Sequence, residues 1–550
     1  MADILKKLKE SKKGLFVGVA GPGTGKSTTF KFIIESEEYK GKKILILSFI
    51  NKLIDDLKKD FKDYDNVTVS TLHSFANQKI GDVEFDEDLD KVISKDYFLM
   101  EGVPTDFNEN YFSEKIHENS LSKGEEKFYE YRRSFYKRDK ELHSFSSIIH
   151  VTNKYFEEHP DKIPDKYDLI LIDEFQDFNK CEYEFIKQLN KKASIVLVGD
   201  ENQSLYFFKQ ARPEQIIDLY NDKNTEEFSL DNCHRCSKVI VDSTNDLINN
   251  AKKAGYLAKG MEKKFGYPGT NKKQNEASEK HQQINFIPSV QSNQLIYKLA
   301  EDIKSSLEVL QCDKCGEIKK KRILILSPGY FKQTIYEGLI KKGFNVVEFE
   351  LFSNEQRNNI KHKKLVDNFI TLNQRKTDDL CLRKLLSLYL TEEEIKEILI
   401  SSAKSGKKIW LCLSPKTKGQ IEEDIRIFQK AKKGKNQLNE QEFIRFNKIF
   451  TLKNILLKMI KGFAPIERGA IEVEMTTVMS SKGLSADFVY YVGIDDRFTL
   501  DRKTGEFTDF KICEFLVGIT RAKEKLTLLS FEDQNPKILN FVNKSRINRI

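Results

Sequence analysis

The stretch "GLFVGVAGPGTGKSTTFKFII", residues 14–34, constrains this chain more than any other. An apolar run leads into a glycine-rich turn and then into a helix-forming segment, the order a phosphate cradle needs. Gly21, Gly23 and Gly25 let backbone N–H groups curl around phosphates, and Lys26 reaches the terminal ones. Ser27 is placed to ligate Mg²⁺ at the helix N-terminus, and Ala20, Pro22, Thr24 and Thr28 complete the contact surface. Ala20 stands where the commonest pattern has glycine. The bland alternative is a glycine-rich turn that merely precedes a helix, and the strand–loop–helix context weighs against it.

Similar short runs recur as "KILILSF", "VTVS", "YDLILID", "SIVLVG", "RILILS", "NVVEFE", "EVEMTT", "FVYYVG" and "KLTLLS", many with helical stretches between them. Continuous apolar strands alternating with helices predict an α/β protein built on parallel sheets. At 550 residues the chain exceeds one core, so two large domains with insertions are expected. The strand signal thins between about 76 and 150 and again between about 351 and 470, where "EEEIKEILISSAKSG" and "FIRFNKIFTLKNILLKMIKG" carry apolar residues at helical spacing. These stretches are expected to be mainly helical insertions.

A second strand ends in "LILIDEFQDF". A carboxylate at a strand tip can hold Mg²⁺ and its neighbour can accept a proton from water, which suits Asp173 and Glu174. Alone, an acidic strand end is usually a solvated turn; behind a phosphate cradle it gains a role. A third strand runs into "VLVGDENQSLYFF", where the Gln203 amide can sense a γ-phosphate and Tyr206 and Phe208 can face a ligand or simply fill the core.

Taken in order, these motifs resemble those of superfamily 1 DNA helicases of the UvrD/Rep/PcrA type. "AGPGTGKST" is similar to motif I, "LSFINKL" to Ia, "STLHSF" to Ib, "IDEFQD" to II and "VGDENQSLYFFKQA" to III. "LDNCHRCS" is similar to motif IV, "TTVMSSKGLSADFVYYVG" to V and "FLVGITRAKEKL" to VI, while "KTDDLCLRKLLS" resembles a segment of the second insertion.

The resemblance implies two RecA-like P-loop parallel-sheet domains with ATP between them, each with a mainly helical insertion. The first RecA-like domain would comprise 1–75 and 152–225, with insertion 76–151; the second 226–350 and 471–550, with insertion 351–470. It implies ATP and Mg²⁺ as cofactors, with Ser27 and Asp173 as metal ligands, Glu174 as base and Gln203 as γ-phosphate sensor. Arg235 and Arg521 match arginine fingers that neutralise charge in phosphoryl transfer. Phe49, Asn51, His73, Tyr206, Phe208, Ser480 and Lys482 match strand-contacting positions. The implied activity is 3′ to 5′ movement on single-stranded DNA, or DNA with a single-stranded tail, in repair, replication or antiphage defence. The alternative is a nucleic-acid-sensing ATPase of the Gabija type that regulates a partner nuclease.

Several positions depart from the family pattern. The first glutamine is Gln78, so no glutamine precedes the phosphate loop to read adenine, and His234 replaces an adenine-stacking tyrosine. Met479, Ser485 and Leu516 replace the usual His, Glu and aromatic residue, changes that bear on coupling between strand and nucleotide.

Cys233 and Cys236 stand two residues apart, as do Cys312 and Cys315 in "CDKCG". Zinc needs four ligands, and no compact four-ligand spacing exists; Cys312 and Cys315 remain candidates for half a site. A net charge of +8 permits nucleic-acid binding without requiring it. "MADILKKLKESKKG" lacks the apolar core of a signal peptide and no run is long enough to span a bilayer, so a cytoplasmic protein without membrane contact is expected.

Overall fold

The structure is a computed structural model that describes residues 2–10, 14–48, 51–81, 83–101, 108–258, 260–261, 265–288, 292–308, 321–348, 354–433, 437–450 and 471–550. The chain divides into two compact units: residues 1–75, 159–353 and 467–550 form the first, and 76–158 with 354–466 the second.

In chain order the strands are β1 (Leu15–Ala20), β2 (Ile44–Ser48), β3 (Val67–Thr71), β4 (Val83–Phe85), β5 (Glu141–His143), β6 (Leu169–Ile172), β7 (Ser194–Gly199) and β8 (Thr225–Leu230). They continue as β9 (Ile284–Ile287), β10 (Ile323–Leu326), β11 (Phe344–Glu348), β12 (Ile471–Thr476), β13 (Ala486–Val492), β14 (Ala522–Leu529) and β15 (Ile547–Arg549).

The first unit holds two parallel sheets, ordered β3-β2-β6-β7-β1-β8 and β11-β12-β10-β13-β14-β9-β15. This is the expected α/β architecture of two RecA-like domains. β1, β2, β6 and β7 are buried along nearly their whole length, which is why they read as continuous apolar runs. Ile4 and Leu8 of the helix Ala2–Glu10 close the core of the first sheet together with Phe16, Phe30 and Ile46. In β8, Thr225, Phe228 and Leu230 are buried while Glu226, Glu227 and Ser229 are exposed, so this edge strand carries no apolar run and escapes the sequence pattern.

The second unit is mainly helical, with the small parallel ladder β4–β5 that periodicity does not reveal. The boundary expected at 151/152 falls inside the helix Phe145–Glu158, because Ile148, Ile149 and Phe156 belong to one continuous buried face. The two insertions pack into a single unit rather than two. Asp96 of the first is fully buried and accepts bonds from Arg132 Nε at 2.9 Å and from Arg383 Nε, in the second insertion, at 2.7 Å. Arg138 Nε reaches Asp378 Oδ2 at 2.6 Å and Lys384 Nζ reaches Asp86 at 2.7 Å, so charged pairs join the insertions along their contact.

Candidate nucleotide site

The phosphate loop leaves β1 at the fully buried Ala20 and enters the helix Lys26–Ile34 through Gly25, whose φ of 90° is left-handed. Gly21 O accepts the Thr24 hydroxyl at 2.9 Å, which holds the turn closed, and Pro22 and Thr24 are buried beneath it. Ser27 is half-buried and Thr28 exposed in the first helical turn. Gly23 has φ +71°, and a Cβ there would lie 2.6 Å from Arg235 Cβ and 3.2 Å from Cys233 Sγ. Only glycine fits, because the "CHRC" turn rests directly on the loop. The exposed His234 donates its backbone N–H to Gly23 O at 3.0 Å.

Lys26 Nζ lies 2.8 Å from Glu174 Oε1. Glu174 is buried and sits in the left-handed region at φ 55°, an uncommon conformation for a residue with a side chain, and one that clusters at functional sites. Gln176 Nε2 donates to its other oxygen at 2.5 Å, and Gln176 Oε1 accepts from Asp200 N at 2.9 Å. Burial opposes charge on Glu174, but Lys26 and Lys482 overcome it and hold the carboxyl well below the usual range. Asp173 behaves oppositely: burial pushes it up to about 6 against the pull of Lys26, with the Glu174 charge adding to the rise. The pair therefore divides into a readily ionised Glu174 and an Asp173 whose charge is costly. Ser27 and Asp173 offer the hard oxygen donors that Mg²⁺ takes, and a dication beside Asp173 would offset that buried charge.

Gln203 Nε2 donates to Asp200 Oδ2 at 2.6 Å, leaving its carbonyl to accept from Arg521 Nη2 at 3.2 Å. Arg521 is buried and fixed by two backbone carbonyls, Val517 O at 3.0 Å and Leu484 O at 3.1 Å. Burial and the nearby Arg235 charge push its guanidinium down to about 10. An anion arriving there meets donors already oriented and short of counter-charge.

Lys482, a strand-contacting position by the family resemblance, stands inside the cluster. It is 3% exposed, pairs with Asp177, donates to Gln203 O at 2.9 Å and lies 3.7 Å from Glu174 Oε2. Its ammonium sits 5.4 Å from the centre of the Tyr206 ring. The second-sheet loop thus plugs into the acidic end of the first sheet, since a buried ammonium requires carboxylates around it. Ser480, half-buried beside it, accepts from the Thr477 hydroxyl at 3.2 Å.

Tyr206 is half-buried at the start of the turn Phe207–Lys209. His73 lies 3.8 Å from the buried Glu182, outside the nucleotide cluster. The side chains of Asn51 and Phe208, and all of Phe49, Cys312 and Cys315, lie outside the described residues. Among the described residues no group of three or more metal-ligating side chains gathers. Gln176 and Asp177, both in "IDEFQD", escape the sequence reading; Phe207, in "SLYFFKQ", escapes it too and meets Phe510 edge-on at 5.8 Å. For Gln176 and Asp177 the available signal is their adjacency to Glu174; for Phe207 there is none beyond being aromatic.

The UvrD/REP helicase N-terminal domain family matches residues 101–224. A probable DNA helicase II homolog of Mycoplasma pneumoniae is 23% identical over 630 residues, covering 97% of this chain and 85% of that protein. An ATP-dependent DNA helicase Rep of Buchnera aphidicola is 23% identical over 618 residues, covering 92% and 91%. A DNA helicase II of Haemophilus influenzae is 34% identical over 119 residues, 21% of this chain and 16% of that protein. With two parallel sheets and a phosphate loop after β1, the chain is similar along most of its length to these UvrD/Rep-type helicases.

Proposed function

We propose that the chain moves 3′ to 5′ along single-stranded DNA by hydrolysing ATP between its two RecA-like domains. The observation that carries this reading is the contact of Arg521, from the second sheet, with Gln203, from the first, in the same cluster as Lys26 and Glu174. Lys26 binds the terminal phosphates once it exchanges the Glu174 carboxylate for them. Glu174, ionised and pinned by Gln176, then faces the attacking water as the proton acceptor. Ser27 and Asp173 would hold Mg²⁺, which supplies charge neutralisation on the phosphates when bound. Arg521 and Arg235 stabilise charge that develops on the transferred group, so hydrolysis is fast only when the two sheets are apposed.

Tyr206 links this centre to the track. Its ring covers the Lys482 ammonium, so a base stacked near it bears on the plug that reaches Glu174. Stacking of this kind tolerates any base and contributes about 1 to 3 kcal/mol each. His234, exposed beside the phosphate loop, is the residue to which we assign the adenine contact.

The test is ATP hydrolysis with and without single-stranded DNA. Stimulation by DNA, abolished in Glu174→Gln, is the expected outcome; a rate indifferent to DNA contradicts translocation. Competition between DNA and RNA oligomers assigns the track. The second reading, a sensing ATPase that controls a partner nuclease in defence, is favoured by Met479 and Ser485 in the coupling loop and predicts hydrolysis without strand displacement. Among the described residues no helix is long and apolar enough to cross a membrane.

A further inference from the structure

The proposed chemistry leaves one pair of groups without a part: the thiols of Cys233 and Cys236. Both are fully buried, at either end of the turn that carries His234 and Arg235. Cys236 N–H donates to Cys233 Sγ at 3.5 Å, and Gln274 Nε2 clamps the turn by donating to Cys233 O at 2.8 Å and Cys236 O at 2.7 Å. The Cys236 S–H is within reach of Thr520 O at 3.7 Å, and Thr520 immediately precedes Arg521. Cys233 Sγ lies against Gly23 of the phosphate loop. The pair therefore touches the loop, one arginine directly and the other through a single residue.

We propose that Cys233 and Cys236 form a reversible disulfide that slows ATP hydrolysis by displacing Arg235 and Arg521. The effect on rate rests on the reading of these arginines given above; formation of the bond does not. A cysteine pair with two residues between the thiols and its second member just before a helix is arranged for disulfide exchange; here Ser237 caps the helix Lys238–Lys253. The hydrogen bond from Cys236, the N–H groups of Cys236 and Arg235, and the Arg235 charge lower Cys233 to about 6, although burial opposes them. Cys233 is thus the attacking sulfur and Cys236 the resolving one.

Hydrogen peroxide, small and uncharged, is the oxidant class of the proposed step. The Cys233 thiolate attacks one peroxide oxygen and the O–O bond breaks; after protonation this gives sulfenic acid and one water. The Cys236 sulfur then attacks Cys233 Sγ, the S–O bond breaks and the second water leaves, so two thiols and one peroxide give one disulfide and two waters. The product draws the sulfurs to about 2.05 Å. That shortens the turn under Arg235 and removes the S–H that faces Thr520.

The experiment treats the reduced full chain with hydrogen peroxide, denatures it, alkylates the remaining thiols and maps them. Expected is loss of label at Cys233 and Cys236, with the two halves produced by cleavage after Arg235 still joined. ATP hydrolysis should fall by about tenfold and recover with dithiothreitol. The C233S/C236S double variant should keep the reduced rate and ignore peroxide. Persistent labelling of both cysteines at a dose that oxidises the partly exposed Cys412, or a joined pair with an undiminished rate, overturns the proposal. A reduced protein that hydrolyses no ATP would overturn the enzymatic reading and the effect on rate, while the map alone still decides whether the bond forms.

Discussion

Arg521 Nη2 donates to Gln203 Oε1 across 3.2 Å, joining a guanidinium at the start of β14 to a side-chain amide beyond the end of β7. Each holds the other in place before any nucleotide arrives. Arg521→Ala should lower kcat for ATP by about a thousandfold or more while a nucleotide analogue still binds. Gln203→Ala should lower it less, and the double variant should be no worse than Arg521→Ala alone. Losses that multiply in steady-state kinetics would show that the two act independently.

Lys482 tests a different relationship. Its ammonium and the Asp177 carboxylate are both buried, so Lys482→Met leaves Asp177 and Glu174 without their shared cation. The expected cost is about 3 to 5 kcal/mol in urea unfolding, with much of it returned by adding Asp177→Asn. A solvent-facing, strand-binding lysine would show almost no stability loss and a DNA affinity that falls instead.

In the second unit, Asp96 carries two arginines from different insertions. Asp96→Ala should expose the amides of both insertions to faster hydrogen exchange together, because two guanidinium groups lose their common acceptor. The destabilisation expected is again about 3 to 5 kcal/mol. Exchange that quickens in residues 76–158 alone would contradict a single cooperative unit.

Two histidines set an acid limit on that unit. Burial and the Arg133 charge push His143 down to about 3, and burial with Lys154 pushes His150 down to about 4, from an ordinary value of 6.5. Both are neutral when folded, whereas the unfolded chain takes up protons below pH 6.5. Stability is therefore full above that pH and is lost as pH falls toward about 4 and 3. The urea midpoint should drop as pH falls from about 6.5 toward about 4, and His143→Gln should flatten part of that drop. An unchanged slope in the variant would remove His143 from the account.

Much of the candidate nucleotide site lies close together in the sequence. Lys26, Ser27, Asp173, Glu174 and Gln203 follow buried strands at short spacing, so strand ends and chemistry lie side by side in the chain. Fully buried strands such as β2 and β7 advertise themselves as apolar runs. The edge strand β8 and the short β9 do not, because an edge buries only part of its residues or offers too few to form a pattern.

Pairings across long chain separations were not legible. Lys482 with Asp177, Arg383 with Asp96, and Gln274 beneath the "CHRC" turn join segments whose local patterns give no hint of each other. A charged residue reads as exposed until folding supplies a partner that makes its burial tolerable. The amino-acid order by itself determined the phosphate loop, the α/β class and the residues that could meet a nucleotide. Only the tertiary structure decided which of them meet, turned Lys482 inward and merged two insertions into one body, because burial energy depends on neighbours that lie far away along the chain.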